Sequence, residues 1–182
     1  MQTEENLARW NHEEELVKAK LASAGIIDPR LTKEKSGLEI LQSTFSGELP
    51  PPPIGETLDF IPIQMTFGEA VFQGRPQRKH YNPMGSVHGG WIATLLDSAV
   101  ACAVHSTLPP GQSYTSIELK VNMVRTLTDR VSLVRAEGKV IHRGGQVATA
   151  EGRLIGPDGK LYAHATTTCL IFDHSIRYGE QA

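Results

Sequence analysis

Between Lys79 and Glu118 the chain carries one formally charged residue, Asp97. It stands inside the run GGWIATLLDSAVACAVH, Gly89 to His105, where almost every other side chain is apolar. On a helix its face holds Ala93, Val100, Ala101 and Val104, so the carboxylate emerges from an apolar surface. An unpaired ionised carboxylate is costly to hold there. Two readings follow: an acid that caps another segment or accepts backbone hydrogen bonds, or one tuned by its surroundings as a general base or nucleophile.

The residues just before it supply a complementary chemistry. In Asn82-Pro83-Met84-Gly85-Ser86-Val87-His88-Gly89-Gly90, two glycines open the helix. Unpaired N–H groups at the positive end of its dipole can receive an anion or a developing oxyanion. The same glycines also suit a tight turn or close packing, and His88 suits a helix start hydrogen-bonded to backbone. No GxSxG elbow, GxxxxGK[ST] loop, GxGxxG turn or HExxH pair occurs. His80, His88, His105, His142, His164 and His174 fall on different elements without ligand spacing, so no metal is expected. Cys102 and Cys169 lie in apolar stretches, which indicates neither a disulfide framework nor a zinc site.

The elements that must position these groups differ along the chain. With 182 residues, 40% hydrophobic and 21% charged, the sequence fits one globular domain with an appendage. Leu7, Trp10, Leu16 and Leu21, interleaved with acids, suggest an amphipathic helix, and a second covers Leu38 to Phe45. The prolines 50–53 favour an extended spacer. Residues 1–53 are therefore read as a helical N-terminal extension with a proline spacer, and 54–175 as the main domain. Leu58 to Phe72 reads as a strand or bent pair, with Gly68 as a bulge. The helix from Gly89 is apolar on nearly every side and is expected to be buried all round. Four strand-like segments follow: Ile117 to Met123 in strict alternation, Val131 to Ile141, Val147 to Ile155, and Leu161 to Phe172. The order predicts an α+β fold in which a curved antiparallel sheet, a four-stranded meander at its end, wraps one long buried helix.

Composition narrows the partners. No run approaches the ~20 apolar residues of a membrane span, and polar, acidic sequence follows Met1, so an unexported cytoplasmic protein without a membrane partner is expected. A net charge of −2 and 6% aromatic residues argue against a nucleic-acid partner.

The stretch NPMGSVHGGWIATLLDSAVACAV resembles the hotdog-fold acyl-CoA thioesterases of the phenylacetate-degradation (PaaI) type; Asn82, His88, Gly89, Gly90 and Asp97 match their motif. The resemblance covers about Ile54 to Phe172. It implies hydrolysis of an acyl-CoA thioester with an aromatic or medium-chain acyl group. The Gly89 N–H, helped by Asn82 and His88, would polarise the carbonyl, while Asp97 of a neighbouring subunit activates water or attacks directly. A strand hydroxyl holding the water falls on Ser116, with Thr115 as the nearby alternative. A homodimer or homotetramer with shared sites is implied, and no separate cofactor, coenzyme A being part of the substrate. Its phosphates need a basic region. Lys120, Arg125, Arg130, Arg135, Lys139 and Arg143 stand against Asp129 and Glu137, and Arg143 beside Gly144 and Gly145 is the first candidate, although each base also reads as a solvated strand face. Two other functions compete: acyl-CoA hydration or dehydration, and a non-catalytic acyl-CoA-binding or sensing module that would not need Asp97. Met65, Phe67, Trp91 and Met123 are large enough to shape an acyl pocket.

Overall fold

The computed structural model describes residues 1–173, so His174 and the expected domain end at 175 lie outside the described residues. Six antiparallel strands make one sheet: β1 (Phe60–Thr66), β2 (Glu69–Gly74), β3 (Gln112–Met123), β4 (Val134–Arg143), β5 (Val147–Ile155) and β6 (Leu161–Asp173). Their spatial order is β1-β2-β4-β5-β6-β3. The expected four-stranded meander is therefore only β4-β5-β6. Strand β3 does not pair with β4, whose other edge is already held by β2, but closes the far side of β6. Gly68 is not a bulge. It takes a φ of +77° at the hairpin between β1 and β2, which glycine adopts without strain.

The long helix α4 (Gly89–His105) lies in a groove built from small residues. Ala70, Gly138, Gly152 and Ala165 are register partners in a row across β2, β4, β5 and β6. A Cβ added at Gly138 would stand 2.3 Å from the Ala99 carbonyl oxygen, so the helix backbone rests almost directly on the sheet. Leu95, Leu96, Ala99, Val100, Ala103 and Val104 are wholly buried there. The helix is not buried all round, however. Gly90 is exposed and Thr94, Asp97 and Ser98 are half-buried, forming a strip that the sheet cannot reach.

The first helix, α1 (Gln2–Lys18), packs against the opposite face of the sheet through charged groups. The Arg135 guanidinium lies 4.5 Å from the Trp10 ring centroid and pairs with Glu13. Glu14 accepts from Gln73 and Arg75 at 2.6 and 2.8 Å. Burial works against its charge, but these partners and Lys18 outweigh it and hold the carboxyl below the ordinary range. Leu16 is exposed and Leu21 lies beyond the helix, so the expected apolar stripe is narrower than the leucine spacing suggests.

The chain then crosses to the helix side of the sheet. Helix α2 (Gly37–Phe45) meets the end of α4, where the Gly37 N–H donates to Leu108 at 2.9 Å. A Cβ at Gly37 would fall 1.8 Å from the His105 carbonyl oxygen. The proline run stays extended only to Pro52, and Pro53 starts a further helix, α3 (Pro53–Leu58), because its fixed φ suits a first helical position. Ser36 and Glu39 form a reciprocal capping box on α2. Ser36→Ala is expected to lower stability by about 1 kcal/mol, read as a reduced urea midpoint at an unchanged slope.

Among the described residues no helix is long and apolar enough to cross a membrane.

Candidate active site

The loop before α4 is held in place from behind. His80 is buried and stacked on Trp91, with ring centroids 5.2 Å apart. Its Nδ1 accepts from the Gln77 N–H at 3.2 Å, so Nε2 carries the proton that faces Asp59 Oδ2 at 2.9 Å. Burial holds the imidazole below its usual pKa, and Asp59 opposes that shift. The His80 carbonyl accepts the His88 N–H at 2.8 Å, which fixes the residue preceding the helix. Sequence spacing gave no sign of this Asp59–His80 support, because Asp59 sits at the left-handed end of α3, an element absent from the sequence reading.

Asn82 organises the turn itself. Its Oδ1 accepts from the Met84 and Ser86 N–H groups at 2.9 and 3.3 Å, and its Nδ2 donates one hydrogen to Ser86 Oγ at 3.0 Å. At the helix start, His88 Nδ1 accepts the Gly90 N–H at 2.9 Å. A Cβ on Gly90 would stand 3.0 Å from that nitrogen, so the cap favours glycine there. This leaves the Gly89 N–H without a hydrogen-bond acceptor among the described residues. Asn82 and Gly89 line a cavity of about 340 Å³ together with Met123 and Arg125. Arg125 is exposed, donates to the Leu161 carbonyl at 3.3 Å, and is the cation lining the Gly89 cavity. The sequence singled out Arg143 and saw Arg125 only as one member of a basic tract.

Asp97 is half-buried on α4, and burial raises its carboxyl above the ordinary value of 3.8, partly offset by a hydrogen bond from Ser116 Oγ at 3.4 Å. Ser116 reaches the helix because β3 bulges. Ser116 pairs with Cys169 and Glu118 with Thr168, leaving Ile117 as the extra residue. Strict alternation would have placed Ser116 on the face opposite Leu119 and Val121; the bulge brings all three to the helix side and leaves Ile117 59% exposed. Thr115 is exposed instead. Burial raises both thiols, Cys102 to about 12, so neither is a ready thiolate nucleophile at neutral pH.

Gly89 and Asp97 are eight residues apart on one straight helix, about 12 Å at 1.5 Å per residue. The Gly89 cavity does not include Asp97. One chain thus offers a free N–H and a carboxylate at two separate places. Strand β3, which supplies Ser116, is a sheet edge whose second side is unpaired among the described residues.

Arg143 lies elsewhere. Its guanidinium donates to Gln112 Oε1 at 2.6 Å and to the Gly144 carbonyl at 2.5 Å, and it borders a cavity with Thr107, just past the far end of α4. Gly144 donates to Val147 in the β4–β5 hairpin and Gly145 faces open space. Within one chain these three are not brought to the Gly89 helix start. Arg135 is committed to α1, and Lys139 to Glu69 at 2.9 Å, so the basic tract offers fewer free cations than its composition suggests.

The fold is matched in known proteins. Residues 84–163 match the thioesterase superfamily model. A phenylacetic acid degradation-related protein from Ralstonia eutropha JMP134 is 30% identical, covering 71% of this chain and 97% of that one, with a TM-score of 0.65. A variant of the phenylacetic acid degradation protein PaaI from Thermus thermophilus is 27% identical over 65% of this chain and 97% of that one, with a TM-score of 0.58. The 1,4-dihydroxy-2-naphthoyl-CoA hydrolase of Listeria monocytogenes is 23% identical over 64% of this chain and 93% of its own length. The chain belongs to the hotdog-fold thioesterase superfamily and is a thioester hydrolase.

Proposed function

We propose that the protein hydrolyses acyl-CoA thioesters as a cytoplasmic homo-oligomer whose sites are shared between subunits. The observation that carries this reading is the separation of a free Gly89 N–H from a half-buried Asp97 on one helix, beside the edge strand β3, whose outer side no described strand covers. Two chains pairing antiparallel through β3, related by a twofold axis perpendicular to that strand, would set the helix start of one against Asp97 and Ser116 of the other, giving two identical composite sites. A homodimer suffices for this, and a homotetramer would pair two such dimers.

In each site the Gly89 N–H receives the thioester oxygen, while Asn82 and His88 hold the helix start in position; Asn82, whose amide keeps one hydrogen beyond its bond to Ser86, lines the same cavity. Asp97 takes a proton from water as the water oxygen bonds to the carbonyl carbon, or attacks that carbon itself. In the first route Ser116 helps orient the water. The C–S bond then breaks, and the sulfur leaves as thiolate and gains a proton; the first route releases the acid at this point, whereas in the second water then cleaves the acyl–Asp97 anhydride, which frees the acid and restores the carboxylate. Coenzyme A enters as part of the substrate, without a further cofactor. Arg125, which lines the Gly89 cavity of its own chain, would receive the phosphates, with Arg143, Gly144 and Gly145 as the alternative region.

The test is release of free thiol from acyl-CoA substrates, followed against pH. Activity should rise as Asp97 ionises, with an acid limb above 3.8, because burial raises its carboxyl. Ser116→Ala removes the hydrogen bond that lowers it, so the limb should move further up and kcat fall roughly 2–10-fold. No thiol release from any acyl-CoA would overturn the proposal, and an unmoved limb in the variant would remove Ser116 from it.

A further inference from the structure

Asp59 is the one non-glycine residue with a positive φ among the described residues, at +53°. It closes α3 in the left-handed conformation that helices commonly give to glycine, so a side chain is kept there against the backbone's preference. Strain retained in this way points to a use for the side chain. That use lies 2.9 Å from its Oδ2, at Nε2 of His80. Both atoms are buried, and neither has a hydrogen-bond partner elsewhere among the described residues. The Lys79 ammonium, 2.7 Å away, shares the same oxygen from the exposed side.

Asp59 and His80 lie outside the matched residues 84–163, yet they hold the start of α4 from two directions. The His80 ring stacks on Trp91, two residues beyond Gly89, and the His80 carbonyl takes the N–H of His88, one residue before it. The Leu58 carbonyl, next to Asp59, accepts Trp91 Nε1 at 2.7 Å. A Cβ at Gly74 would stand 2.9 Å from the Trp91 ring, so that ring lies hard against β2. The Gly89 peptide is thus bracketed by two contacts that both lead back to the end of α3. A His80 side chain free to turn would lose the Gln77 bond and its seat on Trp91, and Asp59 is the group that faces Nε2 against that turn.

We propose that Asp59 is a positioning residue for hydrolysis: acting through His80, it fixes the direction of the Gly89 N–H toward the developing oxyanion. It does not touch the substrate. The inference rests on the thioester-hydrolase reading with Gly89 as oxyanion donor, and adds a residue that reading does not contain. A misdirected N–H loses more in the transition state than in the ground state, so the loss falls on kcat.

Asp59→Gly suits the left-handed backbone and removes the carboxylate, so the chain should fold while kcat drops about 10–100-fold with KM within about twofold. Asp59→Asn tolerates the same backbone and offers a carboxamide oxygen to the His80 Nε2 proton, so it should recover most of that loss. Ser36→Ala lowers stability at α2, which meets the other end of α4, and should leave kcat unchanged. This separates positioning from a general loss of stability. In protein labelled with [15N]glycine, the Gly89 amide resonance, assigned by its loss in Gly89→Ala, should move in Asp59→Gly and return toward its original position in Asp59→Asn. Unaltered kcat in Asp59→Gly, a change confined to KM, or an Asn variant as impaired as the Gly variant would overturn the inference while leaving the hydrolase reading intact. If the unaltered protein cleaves no thioester, the hydrolase reading fails, and an unmoved Gly89 resonance then rejects the positioning link by itself. Should Asp59→Gly not fold, the 15N histidine spectrum of the unaltered protein decides: a His80 proton on Nε2 supports the link, and one on Nδ1 contradicts it.

Discussion

Asp97→Asn should lower kcat by about 10²–10⁴-fold, the usual worth of a positioned base, while leaving a folded protein of unchanged oligomeric state. Its amide keeps the shape of the carboxylate and can still meet Ser116 Oγ, so packing on α4 is preserved. What disappears is the ability to take a proton or to attack carbon. The substitution should also stabilise the chain at neutral pH. Burial makes the folded state hold the Asp97 proton more tightly than the unfolded state, so stability falls as pH rises from 3.8 through the raised folded value. The Asn variant lacks that loss. Its melting temperature should therefore exceed that of the parent above this window and match it more closely below. Wild-type turnover in the variant would end the assignment of Asp97, and lost turnover with a lower melting temperature at every pH would point to a structural role instead.

The bounds of α4 were legible because their information is local. An apolar stretch opened by paired glycines specifies where the helix begins and how far it runs. Strand pairing is a different matter. The alternation in Ile117, Leu119, Val121 and Met123 identifies a strand but cannot say which neighbour it joins, so β3 was expected beside β4 rather than across the sheet on β6. Nor does alternation reveal a bulge. The extra residue at Ile117 breaks the period, and the contact between Ser116 and Asp97 depends on that break. The family resemblance named Ser116 where the hydrophobic pattern alone would have turned it away.

Electrostatic commitments were hidden for a similar reason. Arg135 counts as a free base in the sequence, yet folding closes it under Trp10 and against Glu13, far apart in the chain. Arg125 remained exposed beside the Gly89 cavity because no acid of the described residues forms an ion pair with it. The half-buried strip on α4 is equally informative. A helix that looks apolar all round is covered by its own sheet on one side only, and the uncovered side is where Asp97 sits.

Whether the site is shared between subunits is decided by mixing two inactive variants. Asn82→Ala disrupts the helix-start half-site by removing the hydrogen bonds that shape the turn, and Asp97→Ala removes the carboxylate half-site. Each homo-oligomer alone should be nearly inactive. After reversible dissociation and reassociation in equal amounts, half of the dimers are mixed. One composite site of each mixed dimer carries both substitutions and the other carries neither, so activity should return to about a quarter of the unaltered protein. If Asn82 and Asp97 served one site within a single chain, every site would still be defective, and verified subunit exchange would restore no activity.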